Sequence, residues 1–309
     1  MIAVGVCIRK FGMTDKKFTT QLTAVIMQVC LPCLIFYSVA YPKIDGQPVL
    51  FSLENLKTYG VAVLLGAVAI LLGLLAGQTA YWLSKDKNAA RILRYGLTLC
   101  TYSFVGIPIM ESLLGPAAVA TYAFFVIPVR VGYYALPEPL MTPPGAGGEK
   151  TSLLKSVGKA FLSPQLLAVV IGVVFWVFSL RLPAFVDYVV NSLNKLTTPL
   201  ALLMCGMLIA EYDFRKMLNL KYFLLPVLRC VMMPAIFFCI SLLLPRFGVP
   251  EMLCKMFVIY AALPVPSLIS VWTVKYDPDP GNHFMAACTY TLSVILCVLT
   301  IPIWNWLMG

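Results

Sequence analysis

Residues 91–136 read R-I-L-R-Y-G-L-T-L-C-T-Y-S-F-V-G-I-P-I-M-E-S-L-L-G-P and then run on apolar to Leu136. A helix through this stretch is interrupted at Gly106-Ile107-Pro108, because proline lacks an amide donor and clashes with the preceding turn, while glycine weakens what remains. In hydrocarbon each unsatisfied backbone amide or carbonyl costs several kcal/mol, so unwound backbone at membrane depth survives only against other protein or a wet cavity. A second break falls at Pro264-Val265-Pro266, inside the apolar run from Met252 to Val274. Two interrupted spans at corresponding places in two halves of a chain point to a transporter's midplane binding site.

A membrane setting follows from composition as well. The chain has 309 residues, of which 61% are hydrophobic and 12% charged, too apolar for a soluble core with a wettable surface. The net charge of +10 does not indicate nucleic acid, because the lysines and arginines lie in short clusters between apolar runs, the pattern that orients spans. Most of the ten cysteines sit inside apolar runs. The C-L-P-C at residues 30–33 lies in one, without the flanks of a zinc site or a redox pair, so the cysteines read as small packing residues and no metal or cofactor is expected.

Along the chain, residues 1–8 are apolar but well short of the roughly 20 residues a span requires. Their basic residues follow the apolar part, so they are no signal peptide, and the expectation is either upstream residues or a first span that enters only partway. Spans follow at 19–39, with Pro32 breaking it late, and at 56–83, rich in small residues that let backbones approach closely. The broken fourth span at 91–114 and a fifth at 116–136 complete a first half, residues 1–136. The Pro/Gly-rich segment 137–160 reads as a cytoplasmic linker to a second half, residues 161–309. There the spans fall at 164–180, 190–210 with Pro199 inside, 222–244, 252–274 with the second break, and 284–308. The expected fold is therefore an all-α polytopic membrane protein of ten transmembrane helices. Five spans per half is an odd number, so the halves form two inverted five-helix repeats.

Charge orients them. Of the 23 lysines and arginines, 15 fall after odd-numbered spans and six after even-numbered ones, which places the odd loops in the cytoplasm and both termini outside it. The other two, Arg130 and Arg229, lie within spans at about 9 Å and about 12 Å from the cytoplasmic end at 1.5 Å per residue, within snorkelling reach. Arg130 either faces the substrate path or snorkels, and Arg229 is read as a structural partner to carbonyls.

At each break, the half-helix that begins offers free amides and the positive end of its dipole, and the half that ends offers free carbonyls. Anions suit the first and cations the second. The amides after Gly106 and around Ser267 are the expected donors, with the hydroxyls of Thr101, Ser103 and Ser267 as side-chain partners and Pro108, Pro264 and Pro266 holding the helices open. Glu111 reads as a capping residue near the outer surface, Gln28 as a helix–helix hydrogen bonder, and His283 as a solvated loop residue.

G-I-P-I-M-E-S-L-L-G-P, P-L-A-L-L-M-C-G-M-L-I-A at 199–210, R-C-V-M-M-P at 229–234 and A-A-L-P with K-Y-D further on together resemble the auxin efflux carrier family of membrane transporters. The resemblance covers nearly the whole chain. It implies that the broken fourth and ninth helices cross at a site for a small organic anion, such as a carboxylate or auxin-like acid. It implies a scaffold of spans 1, 2, 6 and 7 through which a homodimer forms, an elevator-like movement of the other spans, and a plasma-membrane location. Family members often carry Asn before the crossing proline and N-I-P-N-N in the fifth span, where this chain has Thr101, Ser103 and Val126-Ile127-Pro128-Val129-Arg130. Hydroxyls and a cation replace amides.

No H-E-x-x-H, Walker loop, G-x-S-x-G or paired intramembrane carboxylate appears, so a carrier is expected rather than an enzyme. The alternative within transport is a sodium-coupled organic-anion symporter of the bile-acid type, which would want acids and amides clustered at the crossing; Glu111 is the one nearby acid. The orientation is testable: a cysteine introduced at Gly147, in a background lacking the native cysteines, should react with impermeant thiol reagents from the cytoplasmic face alone. Labelling from outside overturns it.

Overall fold

A computed structural model describes residues 1–44, 47–48, 53–142, 162–210, 219–277 and 279–309. Most of the linker expected at 137–160 and the labelling position Gly147 lie outside the described residues. Their regular secondary structure is helical, apart from a short antiparallel pairing of Lys43–Ile44 with Gln47–Pro48. The helices are α1 (Ile2–Lys10), α2 (Lys16–Val25), α3 (Leu31–Ala40), α4 (Leu53–Leu83), α5 (Lys87–Thr98), α6 (Gly106–Leu114), α7 (Pro116–Ala135) and α8 (Pro137–Met141). They continue with α9 (Pro164–Val177), α10 (Ala184–Ile209), α11 (Leu220–Val227), α12 (Met233–Ser241), α13 (Glu251–Ala262), α14 (Ile269–Tyr276) and α15 (Pro280–Leu307).

Among the described residues, five helical stretches are long and apolar enough to cross a membrane: Lys17–Ala40, Leu56–Leu83, Pro116–Ala135, Lys221–Ser241 and Gly281–Leu307. The other expected spans are shorter or less apolar. The fourth and ninth are each divided in two, α1 has nine residues and covers about 14 Å, and α10 carries Asp187 and Lys195.

Pro32 does not break its span. A π-turn at Ile26–Cys30 precedes it and the helix continues through α3. The wider turn removes the hydrogen bond that the proline has no amide to make. The carbonyl of Cys30 accepts from Thr197 Oγ1 at 3.0 Å, two residues before Pro199 in the unbroken α10. A second π-turn, at Leu228–Met232, likewise precedes Pro234 and joins α11 to α12.

The chain forms two compact units that interleave along the sequence. The first comprises Met1–Val63, Ser103–Ile127 and Phe161–Tyr212. In it α1 packs on α10, α9 packs on α3, and α3 packs on α10. The approach of α1 is so close that a Cβ built on Gly5 would overlap the carbonyl oxygen of Leu203. The second unit comprises Leu64–Tyr102, Pro128–Ala160 and Asp213–Gly309. Here α4 lies against the backbone of α5 through Gly73 and Gly77, where added Cβ atoms would fall 2.7 Å from Thr98 O and 2.6 Å from Arg94 O. Small residues four apart present one open stripe of helix, which is how membrane helices pack without a hydrophobic driving force.

These contacts carry a test. Gly5→Val and Gly77→Val force backbone against backbone and should each lower the unfolding midpoint by several degrees, on the order of the 1–3 kcal/mol of overpacking. Gly60, with nothing within 4 Å of an added Cβ among the described residues, should tolerate the same change.

A crossing of unwound backbone

The interruption in the fourth span lies at Leu99–Val105, ahead of the residues whose composition announces it. Gly106 opens α6 and Pro108 stands in its first turn. A proline there removes an amide that has no intrahelical partner in any case, so the strain of the proline is displaced onto the residues before it. The ninth span opens at Leu263–Leu268, where Leu263 is extended (φ −64°, ψ 147°), the conformation forced on a residue preceding proline.

Within the second unit the two openings touch. The Thr101 amide donates to Pro264 O at 3.0 Å and Thr101 Oγ1 donates to Val265 O at 2.7 Å. The Val265 amide donates to Ser293 Oγ of α15 at 3.2 Å, and that hydroxyl donates to Tyr290 O at 2.7 Å. Thr101, Pro264 and Val265 therefore form the crossing, with Ser293 as its support.

The carbonyl ends of both half-helices converge on one side chain. Arg229, 1% exposed, donates from Nη1 to Leu97 O at 2.7 Å, from Nε to Leu263 O at 3.1 Å and from Nη2 to Tyr260 O at 3.5 Å. It presents its guanidinium to the Tyr260 ring at 5.9 Å. The π-turn at Leu228–Met232 carries it.

Arg130 is 3% exposed. Its Nε donates to the Tyr102 hydroxyl at 3.2 Å and its guanidinium lies 5.6 Å from the ring. Tyr102 meets Tyr133 edge to face at 5.4 Å, and Tyr133 is hydrogen-bonded to Ser267. Arg130 and Ser267 are thus linked through two tyrosines, although Ser267 itself is exposed.

The free amides sit differently from the expectation. Those of Ile107 and Ile109 donate to Ser103 O and Val105 O, each at 3.2 Å. Among the described residues it is the amides of Ser103, Phe104, Val105 and Gly106, ahead of the helix, that have no hydrogen bond, and Ser103 Oγ is buried without a partner. In the second unit the amides of Ser267 and Leu268 likewise have none among the described residues.

Three secondary expectations are corrected. Glu111 does not cap a helix near the surface: Thr198 Oγ1, near the middle of α10, donates to its carboxylate. His283 is not a loop residue; it sits in the first turn of α15 with Nε2 2.6 Å from Asp277 O. Gln28 is exposed and makes no hydrogen bond among the described residues, while Gln165 Nε2 donates to Met27 O at 2.7 Å. At the ends of α5 and α14 remote from the crossing, Asp277 of the K-Y-D motif pairs with Arg91 at 3.7 Å and accepts from Asn282 at 3.0 Å. No cluster of three metal-ligating side chains occurs among the described residues.

Sequence inspection missed Tyr102, Tyr133, Tyr260 and Ser293. A tyrosine or serine in an apolar run carries no periodic signal. The one available clue was position, since Tyr102 and Tyr260 flank the two breaks.

Apolar helices of membrane length, with unwound backbone crossed at a buried arginine, define an integral membrane protein of the transporter class. Residues 1–305 match the membrane transport protein family, of the auxin efflux carrier type, and the chain belongs to it. It is similar to an "Uncharacterized transporter" of Methanothermobacter thermautotrophicus, 22% identical over 99% of this chain and 94% of the relative. A second uncharacterized transporter, of Methanocaldococcus jannaschii, is 22% identical over 100% of this chain and 96% of its own length.

Thr101→Val keeps the shape of the crossing and leaves Val265 O without its hydroxyl donor. The expected cost is about 1–3 kcal/mol, read as a lowered unfolding midpoint, whereas Thr79→Val, whose hydroxyl meets Ala76 O on an exposed surface, should change little.

Proposed function

We propose that this protein is a carrier for a small organic anion, such as a carboxylate or an auxin-like acid, built from two inverted five-span repeats and working by an elevator-type movement. The observation that carries the reading is the charge asymmetry of the crossing. The carbonyl ends of α5 and α13 are neutralised by Arg229. In the second unit the amides of Ser267 and Leu268, just ahead of α14, have no partners among the described residues; in the first unit the amides from Ser103 to Gly106, ahead of α6, likewise have none, and the Ser103 hydroxyl is buried without one. What remains uncompensated is positive, and a helix N-terminus with free amides favours an anion. Arg130 adds a second cation, oriented by Tyr102.

The inverted repeat is supported by pairings in the first unit: α1 packs on α10 and α9 on α3, which are spans 1 with 7 and 6 with 2. Exchanging the halves turns one pair into the other. The same four spans are the proposed scaffold and homodimer surface, with the protein in the plasma membrane and both termini outside the cytoplasm.

A thermal-shift screen of the purified protein against mono- and dicarboxylates tests the substrate class, because a ligand at 100 times its dissociation constant should stabilise by about 2.7 kcal/mol. For a carboxylate that responds, Arg130→Gln should weaken transport by one to two orders of magnitude, about the 1.5–3 kcal/mol of a charge-assisted hydrogen bond. Lys there should rescue only in part, having no planar fork. Pro108→Ala should fold and insert yet transport poorly, since it restores an amide to the turn that opens α6. Absence of any response among the acids overturns the anion reading.

A further inference from the structure

The turn between α4 and α5 in the second unit carries Lys85, Asp86 and Lys87, and Arg94 follows about 10 Å further along α5. Tyr81 stands one turn beyond Gly77 on the stripe of α4 that meets α5. Two cations turn onto its ring: Lys87 Nζ lies 4.9 Å from the centroid and the Arg94 guanidinium 5.4 Å. Lys87 is fixed there because Nζ also donates to the closing carbonyls of α4, Tyr81 O at 3.1 Å and Ser84 O at 3.0 Å. Arg94 is half-buried, and its Nε is buried without a hydrogen-bond partner. Neither neighbouring acid compensates these charges. Asp86 Oδ1 caps α5 by accepting from the amides of Asn88 and Ala89 at 3.0 and 3.2 Å, and Asp277 is paired with Arg91. Among the described residues no carboxylate pairs with Lys85, Lys87 or Arg94.

The outer side of the same helix is apolar. Leu64, Leu71, Leu75 and Trp82 are exposed, Trp82 at 69%, and their spacing sets them on one stripe of α4, turned away from Gly73 and Gly77. On a membrane-spanning helix such a stripe faces acyl chains, and a tryptophan at its end marks the interface with the headgroups. An apolar track thus runs up to a group of uncompensated cations, the complement of an anionic amphiphile.

We propose that the α4–α5 hairpin binds an anionic phospholipid, its phosphate held by Arg94, Lys87 and Lys85 and an acyl chain laid along Trp82, Leu75 and Leu71. Arg94 separates this site from the diffuse attraction of a basic turn to a membrane. Its side chain leans toward the start of α5 and the interface, and Tyr81 orients a planar fork that can take two phosphate oxygens at once. A soluble anion would gain the cations but leave the stripe unused. The site is independent of which anion the protein carries and of which leaflet supplies the lipid.

The test uses the purified full-length protein in a neutral detergent, titrated with phosphatidylglycerol or with phosphatidylcholine of the same chains, and follows the unfolding midpoint. Phosphatidylglycerol should raise the parent's midpoint by a few degrees more than phosphatidylcholine does. Each basic side chain near anionic lipid contributes about fivefold in affinity, so Arg94→Gln should move the titration about fivefold or more toward higher lipid, and Lys85→Gln by about fivefold. Lys221→Gln, exposed at the start of α11, should leave it unchanged. Equal stabilisation of the parent by the two lipids overturns the proposal. So does an effect of Lys221→Gln as large as that of the hairpin variants, which would mean diffuse attraction, or an equal rise with glycerol phosphate alone, which would mean a soluble ligand. If Arg94→Gln does not accumulate, the difference between Lys85→Gln and Lys221→Gln decides.

Discussion

The second unit depends on the three hydrogen bonds that Arg229 gives to backbone carbonyls. A helix stopped within a membrane leaves its last carbonyls without partners, each costing several kcal/mol in hydrocarbon. Two helices stop at this crossing. One planar side chain with five N–H donors meets carbonyls of both, which a lysine's single ammonium group cannot do with the same fork geometry. Burying that charge is itself unfavourable, and the compensation comes from the carbonyls and the Tyr260 face. The π-turn at Leu228–Met232 belongs to the same arrangement, because a side chain that must reach two helix ends is carried by a locally widened turn.

The rest of the crossing is satisfied unequally, and the inequality has chemical meaning. Thr101 and Ser293 meet the backbone of Pro264 and Val265, so the ninth-span opening is held in one conformation. In the first unit, taken by itself, the amides from Ser103 to Gly106 are left unmet among the described residues. Buried amides without partners are rare in folded proteins and ask for an explanation.

Much of this was legible in the sequence, in proportion to how local the cause was. Pro108, Pro264 and Pro266 announced two openings because proline acts through its own missing amide and its clash with the turn before it. The opening in the fourth span is displaced toward Leu99–Val105 because Pro108 is acceptable in the first turn of a helix. Pro32 announced a break that a π-turn absorbs. Gly73 and Gly77 were readable as small residues, yet which helix they approach is a matter of tertiary packing. Glu111 was misplaced for the same reason. Counting residues from the end of its own helix puts it near a surface, whereas its partner Thr198 lies near the middle of another helix. The tyrosines and Ser293 were hidden because their role is to pair with backbone that only folding frees.

The second unit is braced on two further levels beyond the crossing, and the two work by different physics. Along α4, Gly73 and Gly77 let α5 approach backbone to backbone, a contact whose strength is dispersion and whose specificity is steric, since any side chain would separate the helices. At the opposite end of α5, some seven residues or about 10 Å from Thr98, Arg91 pairs with Asp277 while also donating to Met141 O at 3.3 Å and Asn88 Oδ1 at 2.8 Å. Asp277 is in turn held by Asn282. Both charges are about one-twentieth exposed, so truncating either leaves the other buried and uncompensated, a far larger loss than that of a surface pair. The bracing matters because the crossing consists of backbone that has given up its helical hydrogen bonds. Such backbone keeps a defined geometry only if the helices on either side of it are fixed at their far ends as well as where they meet.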